Sequence, residues 1–155
     1  MSELQIRDIR PSDAGEVLTL QRAAFVSEAI IYGSVEMPPF TQTLEEVEHE
    51  LAENLGCVAL LGPRMVGAAR ARLDGSLLLI GRISIAPDVQ GEGVGSRLLE
   101  ALEERGRGAG ATEAELFTGS LSEANLRLYE RAGYRETQRV PGDGSEQVFL
   151  RKPLA

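Results

Sequence analysis

A chain of 155 residues, 43% hydrophobic and 26% charged, can bury one substantial core and is too apolar to stay disordered. Its net charge of −8 and pI near 4.8 argue against a nucleic-acid partner, which would need a basic surface. No apolar run approaches bilayer-spanning length, and the opening MSELQIRDIR lacks the apolar stretch of a signal peptide, so a cytoplasmic protein with no membrane partner is expected.

Leu4 to Ile9 alternates apolar and polar residues as a half-buried strand does. Pro11-Ser12-Asp13 offers an N-cap to a helix whose apolar face is Val17, Leu18, Leu20, Ala24 and Phe25. From about Ser27 to Gln42 the pattern is irregular, with Tyr32, Gly33, Glu36 and the pair Pro38-Pro39. Its length suits a substrate-facing lid as well as a plain surface connection. Thr43-Leu44-Glu45-Glu46 reads as a capping box for a helix to about Asn54, with Leu44, Val47 and Leu51 inward and Gly56 as its stop. His49, the only histidine, sits between Glu48 and Glu50 on a face that reads as exposed.

Cys57 to Leu61 and Met65 to Leu73 form a hairpin pattern around Gly62-Pro63-Arg64. The lone Cys57 cannot make an internal disulfide, which agrees with a reducing compartment, and its apolar neighbours make it a structural thiol. Asp74-Gly75 turns the chain into a third strand, Leu77 to Ala86, which Pro87 ends. Gln90-Gly91-Glu92-Gly93-Val94-Gly95 follows, and Ser96 to Leu102 has helical spacing. A strand, a glycine loop and a helix N-terminus in that order make an anion site: the loop amides are unpaired and the helix dipole favours negative charge. Three glycines at alternate positions exceed what a bare turn requires.

Gly106 to Gly110 reads as a glycine-rich break after that helix. Glu113 to Thr118 is then a strand that the strand–helix–strand rule sets parallel to Leu77–Ala86. Ser120-Leu121-Ser122-Glu123 is a second capping-box pattern, and Ala124 to Ala132 continues as a helix stopped by Gly133. Tyr134 to Val140 and Gln147 to Arg151 close the chain as a strand pair. With no repeat and no linker, residues 1–155 read as a single α+β domain with a mixed sheet.

Two motifs carry a resemblance. Gln90-Gly91-Glu92-Gly93-Val94-Gly95 resembles the Gln/Arg-x-x-Gly-x-Gly/Ala signature of the GNAT superfamily of N-acetyltransferases. Asn125-Leu126-Arg127-Leu128-Tyr129, ahead of Gly133-Tyr134, resembles that superfamily's second element. The resemblance implies a GNAT-like fold: a mixed central sheet, with an antiparallel meander and a splayed parallel strand pair, flanked by about four helices. It implies acetyl-CoA as co-substrate and a primary amine of a small molecule or peptide as acceptor, acetylated directly in a ternary complex. It also admits a homodimer, which no sequence feature decides.

At residue level the resemblance implies that amides of Gly91, Glu92, Gly93, Val94, Gly95 and Ser96 cradle the pyrophosphate, with Gln90 closing the loop. Backbone groups of Ile83, Ser84 and Ile85 pair with the pantetheine arm as an added strand would. Asn125 bonds the same arm, and Tyr129, one helical turn on, protonates the departing thiolate from a phenol with a reference pKa of about 10.

The chain departs from this pattern in two places. Glu92 is an acid inside a phosphate loop, so its side chain is expected to point away, with Arg82 and Arg97 near enough in sequence to offset it. The Leu77–Ala86 strand holds no carboxylate, so the general base is expected to be Glu36, ahead of Glu28, His49, Glu123 or a water chain past Ser84. No Cys/His cluster offers a metal site, and none is implied. An NTPase loop is excluded because it needs a Lys where Ser96-Arg97 stands. A dinucleotide-binding oxidoreductase module would use Glu113 as its ribose-binding acid, but Ser96 replaces the third glycine and the antiparallel hairpin does not suit a doubly wound sheet. A non-catalytic acyl-CoA-sensing domain fits the same motifs. The acidic surface leans toward a cationic acceptor.

Overall fold

In the computed structural model, which describes residues 3–154, the strands are β1 (Leu4–Asp8), β2 (Leu55–Leu61), β3 (Arg64–Asp74), β4 (Leu77–Ile85), β5 (Glu113–Gly119), β6 (Arg135–Pro141) and β7 (Glu146–Pro153). They form one sheet in the order β1-β2-β3-β4-β5-β7-β6. Every neighbouring pair is antiparallel except β4 and β5. The helices are α1 (Ala14–Ala24), α2 (Val26–Tyr32), α3 (Pro38–Thr41), α4 (Leu44–Glu53), α5 (Val94–Gly108) and α6 (Glu123–Arg131). The α+β class and the meander with one parallel pair are as expected from the sequence. The helices outnumber the four expected because the Ser27–Gln42 stretch holds two short ones. No helix among the described residues is long and apolar enough to cross a membrane.

β3 shows how the two faces of the sheet are assigned. At Gly67 a Cβ would lie 2.9 Å from both Leu98 and Val94, so α5 packs close against the strand there. Arg70, past a register irregularity, points to the other face, where its guanidinium meets Gln21 of α1 and Glu50 of α4. Val58, Val66, Leu78, Leu98, Leu102 and Leu150 are fully buried in the resulting core.

Four expectations need correction. Leu44 is 45% exposed, and only Val47 and Leu51 face inward from α4. Gly56 does not stop that helix: it lies inside β2, where a Cβ would be 2.5 Å from Ile9 Cγ2, so its smallness serves packing. The helix ends instead at Asn54, whose Nδ2 donates to Glu50 O at 2.9 Å. Gly106 does not break α5 either; a Cβ there would lie 2.6 Å from Leu78 Cδ2, and the helix runs on to Gly108. The Ser27–Gln42 stretch escaped a helical reading because α2 buries no residue and so carries no amphipathic stripe, while α3 opens on two prolines that suit a first turn.

β4 and β5 pair only at Leu77–Glu113, Leu78–Ala114 and Leu79–Glu115. Beyond Leu79 the two strands part, which is the splay the resemblance implied. Within the parted stretch of β4, Arg82 has φ +54°, and it is the only non-glycine residue in the left-handed region among those described. That conformation costs an L-residue about 1–2 kcal/mol. It accompanies a register shift between Ala68 and Arg70 of β3.

Candidate active site

A cleft of about 470 Å³ runs from the parted edge of β4 to the N-terminus of α5. Ile83 and Ile85 form its β4 wall, while Ser84, buried, turns its hydroxyl back to Arg82 O at 3.3 Å. Since β5 has left the strand here, the β4 edge between Ile80 and Ile85 has no strand partner on that side. Gln90, Gly91, Gly93, Val94, Gly95 and Ser96 line the far end, and Gln90 Nε2 donates to Ile85 O at 3.3 Å, tying loop to strand. Glu92 is exposed and, alone in that loop, does not line the cleft, as expected.

The glycines serve different ends. Gly91 (φ +82°) and Gly93 (φ +89°) hold left-handed conformations, and a Cβ on either would project into open space. Gly95 has no such φ; a Cβ there would lie 2.9 Å from Leu128 Cδ2, so it lets α5 and α6 touch. No side chain caps α5 at Gly93, which leaves the first-turn amides free to meet an anion. This combination of open cradle, uncapped helix and unpaired strand edge fits a pyrophosphate with an amide-bearing arm.

Across the cleft, α2 and α6 meet in a polar network. Asn125 Nδ2 donates to Glu28 Oε1 (2.9 Å) and Thr118 Oγ1 (3.3 Å). Ser122 Oγ donates to Glu28 Oε2 (2.7 Å), and the Tyr32 hydroxyl lies 2.7 Å from Ser122 Oγ. The capping box expected at Ser120–Glu123 is not formed: Ser122 is the N-cap of α6 and its hydroxyl is spent on Glu28. Tyr32 can lie against the end of β5 only because residue 119 is glycine; a Cβ there would collide with its hydroxyl.

The model of the acetyltransferase (GNAT) family matches residues 18–134, well over half of the chain. The chain belongs to the GNAT acetyltransferase family. It is 26% identical over 145 residues to the uncharacterized protein YyaT of Bacillus subtilis (strain 168), covering 93% of this chain and 91% of that one. It is 29% identical over 90 residues to the IAA acetyltransferase of Azospirillum brasilense, covering 57% and 59%. Among solved structures, the PaiA N-acetyltransferase of Thermoplasma acidophilum in complex with coenzyme A matches with a TM-score of 0.82 at 15% identity, covering 97% of this chain and 99% of that one. At that identity the likeness speaks for the fold.

In this GNAT acetyltransferase Tyr129 is 6% exposed and packs edge-on against Tyr134, with ring centroids 6.4 Å apart. Burial, and then the Glu28 charge, push its phenol above the ordinary range. Tyr134 donates its hydroxyl to buried Glu103 (2.8 Å), which also takes Lys152 Nζ (2.8 Å), so the second tyrosine of the motif is structural. Glu36 is exposed and does not line the cleft, whereas Glu28 does; geometry therefore reverses their order as candidate bases. His49 is exposed, beside Glu53 at 3.4 Å. Glu123 lines the cleft at the α6 N-terminus. Glu113 sits at the opposite end of β5, bonded to Arg151, far from any ribose position beside the loop.

Neither arginine expected to offset Glu92 does so. Arg97 reaches Leu4 O (3.3 Å), and Arg82 faces the α1–α4 side. The cations that do line the cleft are Arg127 and Arg131 of α6, exposed and without an ionic partner among the described residues. Their i, i+4 spacing on the helix that opens with Glu123 was the available signal.

Proposed function

We propose that this enzyme transfers the acetyl group of acetyl-CoA to a primary amine of a small molecule or peptide, directly, in a ternary complex. The observation that carries this reading is the parted β4 edge running straight into an uncapped, glycine-cradled helix N-terminus. The coenzyme A bound by the Thermoplasma neighbour supports it. Acetyl-CoA, when bound, supplies an activated thioester.

The chain supplies the rest. Amides from Gly91 to Ser96 hold the pyrophosphate, with Arg127 and Arg131 adding charge. Backbone groups of Ile83–Ile85 align the arm, and one of their N–H groups donates to the carbonyl oxygen as charge grows on it. Asn125, with its Nδ2 committed to Glu28 and Thr118, offers its Oδ1 to an arm N–H. Glu28 accepts the amine proton, and Tyr129 returns a proton to sulfur as the carbon–nitrogen bond forms and the carbon–sulfur bond breaks. A phenol is protonated at neutral pH even at its ordinary pKa, and burial shifts that of Tyr129 further in the same direction. Cys57 takes no part: it is fully buried and its thiol is pushed up to about 11 by burial.

One sheet and one core cluster support the chain acting as a single catalytic domain, and the lone buried thiol suits the cytoplasm. The acetyl donor is tested by calorimetric titration with acetyl-CoA, NADH as comparator and Asn125→Ala as control. Micromolar acetyl-CoA binding that weakens in the variant is expected. No binding at millimolar acetyl-CoA by folded protein would falsify the reading. Tyr129→Phe then separates chemistry from binding: kcat falls about 10²–10⁴-fold with acetyl-CoA affinity unchanged, and unchanged turnover and pH profile would remove the proton-donor role.

A further inference from the structure

A second cavity, of about 350 Å³, opens on the α1–α4 face of the sheet. It meets the cofactor cleft along β4: Gly81 and Arg82 line this cavity, and Ile83 and Ile85 line the other. β5 has parted from β4 at this level, so no strand pairing closes the sheet between the two linings. A molecule at Arg82 in the second cavity therefore sits one to three residues along β4 from whatever lies along Ile83–Ile85.

Its charges are unevenly spent. Glu50 is paired with Arg70 (3.0 Å) and Glu115 with Arg151 (2.8 Å), so neither carboxylate is free. Arg82 and Arg72 have no ionic partner among the described residues. Arg82 uses only its Nε, donating to Gln42 Oε1 at 3.3 Å; its two terminal nitrogens, the fork that fits a carboxylate, have no described partner. Gln42 is itself fixed by Arg70 Nη2 (3.1 Å) and by Glu50 (2.6 Å), so the guanidinium is positioned and not merely tethered. The backbone beneath it is the strained left-handed residue of β4. Partial burial and the neighbouring Arg70 disfavour its charge and outweigh the support it has from Glu50, so an incoming anion would add to that support. Opposite stand Phe117, 53% exposed, and Phe149, with ring centroids 5.3 Å apart. An open aromatic pair is a wall for an apolar body.

We infer, on the reading that the cleft along β4 holds acetyl-CoA, that the second cavity is the acceptor site and selects an amine whose molecule also bears a carboxylate and an apolar, ring-bearing body. Arg82 takes the carboxylate in its fork, Phe117 and Phe149 pack the body, and the amine is left toward the split. This reverses the cationic acceptor that the net charge suggested.

The test uses the full chain with saturating acetyl-CoA, thiol release as readout, and matched acceptors: L-phenylalanine and L-tyrosine against L-phenylalaninamide and 2-phenylethylamine. Acetylation confined to the two carboxylates, or favouring them in kcat/KM by about 10- to 100-fold, is expected from a charge-assisted fork. Arg82→Gln removes that preference and Arg82→Lys keeps part of it, while both bind acetyl-CoA as the unaltered chain does by calorimetry and melt with it. Equal use of the amide and the acid, preference for the amine without a carboxylate, or no use of any of the four overturns the inference. A preference that survives in Arg82→Gln does the same. Failure of acetyl-CoA to bind the unaltered chain sinks the underlying reading instead, so the two failures are told apart.

Discussion

Arg70 holds the wall between the core and the second cavity, and its removal has a computable consequence. The side chain is 4% exposed and donates to Glu50 Oε1 (3.0 Å), Glu50 Oε2 (3.3 Å), Gln21 Oε1 (3.1 Å) and Gln42 Oε1 (3.1 Å). Arg70→Met keeps much of the volume while deleting the charge and all four donors. Breaking a buried ion pair from one side costs about 3–5 kcal/mol. The Glu50 side chain is 29% exposed, so water recovers part of this and the lower end, about 3 kcal/mol, is expected. For a domain of this size that lowers Tm by about 6–12 °C. The pH dependence supplies the sharper check. Burial alone would raise the Glu50 carboxyl; hydrogen bonds and charge from Arg70, then Gln42 and Arg82, outweigh it and hold it below its ordinary value. The pair's contribution is therefore present above the unfolded-state pKa of about 4.3 and is lost as pH falls through the lower folded value. In Arg70→Met a protonated Glu50 needs no cation. Urea unfolding should thus show the gap between variant and unaltered chain narrowing from pH 7 to below pH 4. A gap under about 1 kcal/mol at pH 7, or one that stays constant into acid, refutes the reasoning.

Gly106→Ala and Gly108→Ala make a matched pair on α5. Helix propensity favours alanine by up to about 1 kcal/mol at either site, but at residue 106 the new Cβ would sit 2.6 Å from Leu78 Cδ2 while at 108 nothing lies within 4 Å. Denaturation midpoints should fall for the first and hold or rise for the second; equal shifts contradict the packing account. Gly119→Ala displaces Tyr32 from the end of β5 and with it the Tyr32–Ser122 bond, so acetyl-CoA affinity should weaken about tenfold, the worth of one lost hydrogen bond, as calorimetry reads directly; unchanged affinity removes the network from the site. Cys57, with its thiol at about 11 and no exposure, should resist a disulfide-exchange reagent at pH 8 until the chain unfolds. Fast labelling of native protein would place the thiol elsewhere.

The sequence showed the parts of this fold whose signal is local. The alternation in β1, the Thr43–Glu46 capping box, whose two reciprocal bonds measure 2.9 and 3.2 Å, and the glycine loop were all readable. The splay was legible only through the family resemblance, since no run of residues announces where two strands stop pairing. What escaped depends on distant neighbours. Gly56 and Gly106 look like punctuation, yet their smallness answers to Ile9 and Leu78. Ser120–Glu123 looks like a capping box, yet the N-cap of α6 is Ser122, whose hydroxyl goes to Glu28 at 2.7 Å. α2 was invisible because a helix that buries nothing has no stripe to read. The base was ranked by position in a loop, whereas α2 brings Glu28 to the cleft and leaves Glu36 outside it.

Net charge says little about the field inside either cleft, and the reason is distance. At 0.1 M salt, charges more than about 10 Å apart are largely screened, so a ligand responds to the few groups around it and not to a total of −8. Around both clefts most acids are already occupied or turned away, Glu123 excepted: Glu50 with Arg70, Glu115 with Arg151, Glu28 accepting from Ser122 and Asn125, and Glu92 outside the loop. The cations there, Arg127 and Arg131 on one side of the split and Arg72 and Arg82 on the other, have no described ionic partner. An acidic chain can therefore still place arginines without a described ionic partner beside both clefts. Both clefts are lined by one strand, β4, at Gly81 and Arg82 for the one and at Ile83 and Ile85 for the other, so the strand that parts from β5 sets where their occupants stand.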